Sequence, residues 1–105
     1  MCLSLSLAGI TFCGADVGGF FGNPDAELMI RWYQAAVWQP FFRSHAHIDT
    51  KRREPWVFGD DKMAYMRDAI KTRYNILPLY YTLFYELEKA WSLAQLYLPF
   101  KIILF

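Results

Sequence analysis

Charge is nearly balanced: eleven Lys and Arg stand against ten Asp and Glu, a net charge of +1 over 105 residues. A surface so neutral is poorly suited to general polyanion binding, and a nucleic-acid partner is not expected. Cysteine is sparse. Only Cys2 and Cys13 occur, eleven apart on what reads as one extended segment, too distant to bridge unless the chain folds back. Histidine is limited to His45 and His47. With no further His and no Cys pair beside them, a zinc site is not expected. The glycines of "GADVGG" fit neither a Walker A loop, which ends in Gly-Lys-Ser/Thr, nor G-x-G-x-x-G, so a phosphate cradle is not expected either. Long apolar runs are missing too. The final "LYLPFKIILF" is interrupted by Pro99 and Lys101 and falls short of the roughly 20 residues of a membrane span. The opening "MCLSLSLAGITFCGA" has the apolar length of a signal-peptide core but no Lys or Arg before it.

What the chain has in quantity is aromatic side chains. Nine Phe, seven Tyr and four Trp make 19% of the residues, within a hydrophobic content of 55%. The length suits one small domain, but a body of this size has too much surface for its volume to cover such a load. The chain is therefore expected to be a piece of something larger, with exposed apolar patches.

The order along the chain alternates. Residues 3–12 are a mostly apolar run, expected to be a strand buried on both faces. "CGADVGGFFGNP" reads as a loop, and Asn23 as the N-cap of a helix with Pro24 at its first position and Asp25 and Glu27 near the positive end of its dipole. Leu28, Trp32, Ala35 and Ala36 would share one face of that helix, which runs to about Val37; Pro40 ends it. "PFFRSHAHI" is expected to be a second extended segment, followed by a polar loop in which Lys51, Arg52, Arg53 and Glu54 are solvated. Asp60 or Asp61 would cap a last helix with Met63, Met66, Ile70 and Leu77 near the helical period, and Pro78 would kink it or begin another. Strand, loop, helix, strand, loop, helix is two βα units, the repeat of a parallel α/β fold. Two units alone leave each strand with an unpaired edge.

In such folds ligands meet the loops at the carboxyl ends of the strands, where Asp16 and "RSHAH" both fall. A carboxylate at the end of a buried strand carries a desolvation cost unless a charged or hydrogen-bonding group meets it. Gly14, Gly18 and Gly19 around Asp16 would let the backbone turn tightly while a polar ligand approaches; a plain turn role is the competing reading. Cys13 with His45 as base lacks an orienting third group, and a structural thiol is the commoner case. The Lys51-Arg52-Arg53 run reads as solvated surface rather than a phosphate site, and Trp32, Tyr33 and Trp38 as packing rather than a sugar platform.

The blocks "FCGADVGGF", "RWYQ", "QPFFRSHAH", "KRREPW" and "RYNILPLYYTLFYE", in this order, resemble glycoside hydrolase family 31, and within it the neutral α-glucosidases that include glucosidase II. The resemblance covers residues 1–85; residues 86–105 form a divergent apolar tail. It implies an α/β fold, a partial TIM (β/α)8 barrel made of the last two βα units, the seventh and eighth. It also implies that Asp16 hydrogen-bonds hydroxyls of the glucose in the −1 subsite and that His45 contacts the same sugar. Arg43 would support this wall and Phe20 would border the aglycone side. A carboxylate and an imidazole both suit directional bonds to a polyol.

The resemblance is incomplete where the chemical step resides. Retaining members use two carboxylates about 5 Å apart, one as nucleophile and one as acid/base. Their blocks in the family, Trp-x-Asp-Met-Asn-Glu and Gly-Asp-Asn, do not occur in this sequence. No catalytic residue is assigned here, no cofactor and no metal are implied, and both ends are expected to be truncated or mis-spliced relative to the family. The expected function is that of a fragment of a retaining α-glucosidase, one wall of a glucose subsite, inactive alone. Partners of the intact parent would be an α-glucoside or the glucose of an N-glycan and, for a glucosidase II, a regulatory β subunit; only that parent would imply the endoplasmic-reticulum lumen. The alternative of another class is a small, non-enzymatic helical interaction protein, motivated by the aromatic load and the apolar C-terminus.

Overall fold

In the computed structural model, which describes residues 1–89, the opening apolar run coils instead of extending. Cys2–Leu7 form a short helix, α1. A strand can draw its hydrogen bonds only from neighbouring strands, whereas a helix draws them from its own carbonyls four residues back, and Leu is a good helix former. The helix ends where the amides of Ala8 and Gly9 donate to the Leu5 and Ser6 carbonyls, each at 3.0 Å. After it come helix α2 (Ala26–Ala36), a single 3₁₀ turn (Pro55–Phe58) and helix α3 (Asp60–Lys89).

This corrects the α/β expectation. Among the described residues there is no β-strand, and the last two βα units of a partial TIM barrel are not formed as such. The second expected strand is irregular chain as well. It nevertheless runs beside the Asp16 segment in the same direction. The Phe41 amide donates to the Cys13 carbonyl (3.1 Å), Val17 to Arg43 (2.9 Å) and His47 to Phe20 (2.8 Å). The first two bonds fit the register of a parallel ladder, but between them the Ala15 amide donates to the Gln39 side chain (2.8 Å) instead of to the facing segment, and the third bond is shifted by one residue. Among the described residues no further strand flanks the pair to continue a ladder.

Helix α2 starts later than Asn23 suggests. Asp25 is its N-cap, its Oδ1 accepting from the Leu28 amide at 2.8 Å, while the Asn23 side chain accepts from the Lys51 amide, also at 2.8 Å, and ties two loops together. The buried face is Met29, Ile30, Tyr33 and Ala36. Leu28 is left half-exposed at 48% and Ala35 is exposed, so the expected face is rotated by about one residue. Helix α3 runs unbroken through Pro78 and buries Met66, Ala69, Arg73, Tyr80 and Leu83, a stripe at the helical period. Together α2 and α3 enclose a core of Met29, Ile30, Tyr33, Val37, Met66 and Val17, with Phe42 and Phe58 packed against it. Val17 anchors the Asp16 segment in that core, being fully buried. The expected apolar tail, 86–105, lies mainly outside the described residues.

Candidate functional site, a carboxylate and an imidazole on adjacent segments

Asp16 sits between two fixed neighbours. Its predecessor Ala15 donates its amide to the Gln39 side chain at 2.8 Å, and its successor Val17 is pinned by both the core and the Arg43 carbonyl. Close approach explains Gly14, since a Cβ there would stand 1.8 Å from the Phe41 carbonyl oxygen. Gly18 is required for two reasons: its φ is +90°, and a Cβ would meet the Met29 sulfur at 2.4 Å. The Gly19 amide then returns to the Asp16 carbonyl at 2.9 Å and closes a tight turn.

The carboxylate is not alone. Arg43 Nε donates to Asp16 Oδ1 at 2.9 Å, with the Arg side chain 47% and the Asp side chain 21% exposed. The guanidinium carbon of Arg43 also lies 4.7 Å from the centre of the Phe41 ring, a cation–π contact that holds the arginine's plane. Asp16 thus keeps a second oxygen for another donor while its charge is balanced.

His45 and Phe20 form the other half. Their ring centres are 5.5 Å apart and tilted by 36°, and Phe21 packs edge-on against Phe20 at 4.8 Å. His47, two residues on, also touches both phenylalanines, while its Nδ1 lies 3.4 Å from Asp49 Oδ2. Among the described residues no three His, Cys, Asp or Glu side chains cluster as metal ligands would. The four expected site residues therefore come together as two contacting pairs, Asp16 with Arg43 and Phe20 with His45. The backbone bonds from Val17 to Arg43 and from His47 to Phe20 join the pairs.

Beside His45 opens a cavity of about 280 Å³, lined among others by Tyr33, Ser44, Arg52, Arg53 and Glu54. Burial pushes the Tyr33 phenol above its ordinary pKa, and the hydrogen bond from Arg52 holds the Glu54 carboxyl below the usual range. Arg53 departs from the expected solvated loop, for it is only 6% exposed. It donates to the carbonyls of Gly18 (3.2 Å), Gly19 (2.7 Å) and Gly22 (2.7 Å), and so holds the turn that carries Phe20. Arg73 does the same for the second segment. It is 8% exposed and donates to the carbonyls of Val37 (2.9 Å), Gln39 (2.8 Å) and Pro40 (2.7 Å), beneath Tyr80, whose ring centre is 3.9 Å away. Sequence reasoning missed both. For Arg73 a signal existed, its place on the apolar stripe of α3; for Arg53 the hint was a glycine-rich turn whose carbonyls need donors.

Comparison with known proteins decides the family. Residues 1–83 match the model described as the glycosyl hydrolases family 31 TIM-barrel domain. The chain belongs to glycosyl hydrolase family 31. Among family 31 relatives, the Dictyostelium discoideum protein named neutral alpha-glucosidase AB is 65% identical over 86 residues, covering 82% of this chain and 9% of its own length. Human neutral alpha-glucosidase C is 58% identical over 90 residues, covering 86% of this chain and 10% of its own length. The chain thus spans about a tenth of the length of these relatives. In structure it is similar to the endoplasmic-reticulum glucosidase II complex of catalytic subunit and regulatory-subunit binding domain. The TM-score is 0.78 at 52% identity, over 81% of this chain and 9% of that one. A family 31 alpha-glucosidase from Bacteroides thetaiotaomicron gives 0.72 at 45% identity, over 78% and 14%. The irregular segments around Asp16 and His45 lie within a chain path that such enzymes share.

Proposed function

We propose that this chain supplies one wall of the glucose-binding subsite of a retaining α-glucosidase acting on terminal α-linked glucose. Asp16 accepts hydrogen bonds from sugar hydroxyls, Arg43 positions its carboxylate, His45 bonds the same sugar, and Phe20 borders the side on which the leaving group departs. The observation that carries this reading is the Asp16–Arg43 pair at 2.9 Å. It lies one bonded segment away from a half-stacked Phe20–His45 pair, so an ionised acceptor, an imidazole and an apolar ring edge are held on adjoining backbone. Those are the groups a neutral polyol needs, directional acceptors beside an apolar face. Residues 1–83 constitute the family portion under this reading. The intact parent would act on α-glucosides or on glucose of an N-glycan, with a regulatory subunit if it is a glucosidase II. The chain by itself binds without hydrolysing, because neither block that carries the family's carboxylate pair is in the sequence.

The test belongs in a full-length family 31 α-glucosidase carrying this segment. Asp16→Asn removes the charge and keeps the shape, and is expected to lower kcat/KM about 100-fold, as loss of a charge-assisted bond made to the sugar does. Wild-type kcat/KM in a folded Asp16→Asn enzyme would overturn the assignment.

A further inference from the structure

We propose that helix α3 is a self-association face, on which a second copy of this chain lies antiparallel about a two-fold axis passing between Leu77 and Pro78. The observation is a pattern along the helix. Arg67, Tyr74, Tyr81 and Glu88 follow one another at intervals of seven residues on α3, close to two turns apart, so they stand in one line. Leu77 and Tyr85 lie beside that line, three and four residues from its tyrosines, and all six side chains are exposed. This is a second stripe, about a third of a turn round the helix from the one that buries Met66, Ala69, Arg73, Tyr80 and Leu83.

Beside the stripe runs a groove of about 600 Å³, lined among others by Phe12, Tyr74, Leu77, Tyr81 and Phe84. Phe12 is itself exposed, and its ring meets Phe84 edge-on at 6.1 Å. Such a groove admits the apolar side chains of another helix. Charge decides which helix. Arg67 and Glu88 are equally far from the midpoint between Leu77 and Pro78, about 16 Å to either side, and neither is in an ion pair among the described residues. A second α3 turned antiparallel about that midpoint sets Arg67 of each copy opposite Glu88 of the other and Tyr74 opposite Tyr81. A parallel copy would set Arg67 against Arg67 and Glu88 against Glu88, where like charges repel. The antiparallel contact uses the same patch on both copies and closes at two. Covering Phe12, Tyr74, Leu77, Tyr81 and Tyr85 in both removes on the order of 1,000 Å² from water, near the lower bound of a specific interface.

The experiment measures the mass of the full chain by sedimentation equilibrium over a concentration series reaching about 100 μM, with circular dichroism to check that each variant is folded. Every side chain to be substituted is exposed, so the fold is expected to be kept. The wild-type chain is expected to pass from 12.4 kDa to twice that mass. Arg67→Glu and Glu88→Arg each bring like charges together at both ends of the contact, and each is expected to weaken the dimer about 10-fold. The variant carrying both substitutions exchanges the two ends and is expected to recover wild-type association. Tyr81→Lys is expected to leave a monomer. A wild-type chain that stays monomeric, its stripe covered by residues 90–105 or by nothing, would overturn the proposal, as would open-ended aggregation in place of a dimer. A dimer that survives Tyr81→Lys, or one that the single charge reversals leave unchanged or the double exchange fails to restore, would refute the antiparallel contact.

Discussion

Arg73 and Arg53 show how single residues set the geometry of the wall. Each spreads one guanidinium over three backbone carbonyls, which a lysine ammonium, a compact point charge, cannot match in one plane. Carbonyls at the ends of irregular segments have no strand neighbour to bond, and left unpaired in a buried place each costs about 1–3 kcal/mol. Arg73→Met is therefore expected to destabilise the chain by about 3 kcal/mol, with Arg73→Lys recovering less than half, both measured by urea unfolding. A loss under 1 kcal/mol for Arg73→Met would show that the Val37–Pro40 turn keeps its shape without the arginine. The Asp16–Arg43 bond differs in kind. Half-exposed and set on a phenylalanine ring, it orients a carboxylate more than it holds the fold.

At the scale of elements, a helix replaces the first expected strand because its hydrogen bonds are local, while the second expected strand is irregular chain. Helix α2 depends on its own terminus. Asp25 accepts from the Leu28 amide and Glu27 adds charge in the first turn, where the helix dipole favours it. Asp25→Ala is expected to cost about 1 kcal/mol in thermal or urea unfolding, whereas Asn23→Ala acts only through the bond to Lys51. Equal losses in the two variants would contradict the assignment of the cap. Helix α3 accommodates Pro78 without ending, since the ring removes one backbone donor while packing of Tyr80 and Leu83 beyond it continues the buried stripe.

For the whole molecule, shape follows α3. Its 30 residues span about 45 Å, close to the longest extent of 46 Å. Around it, large side chains stand open to solvent, Tyr81 at 81%, Phe21 at 75% and Trp56 at 62% among them. These agree with the surplus of aromatics over the surface a small body can bury. No helix among the described residues is long and apolar enough to cross a membrane. Under the proposed division, in which this chain supplies a glucose-binding wall but not the carboxylate pair, the purified chain is expected to give no turnover of a chromogenic α-glucoside above a buffer blank. Turnover that disappears in Asp16→Asn would refute the division of labour proposed for it.

By itself the sequence determined the family, through blocks whose residues are specific at each position, and the place of α2 and α3, through caps and apolar periodicity that are local properties of the chain. It also located the glycine turn around Asp16, because Gly14 and Gly18 answer to steric limits that any fold must obey. Only the tertiary structure decided that the apolar runs are not strands, since a ladder exists only where a second segment lies in register. Tertiary structure alone gave Asp16 its partner Arg43, buried Arg53 and Arg73 against carbonyls far away in the chain, and set Cys2 against Cys13. Each of these is a contact across a fold-back, and the free energy of such a contact depends on which groups meet in space rather than on which follow one another in sequence.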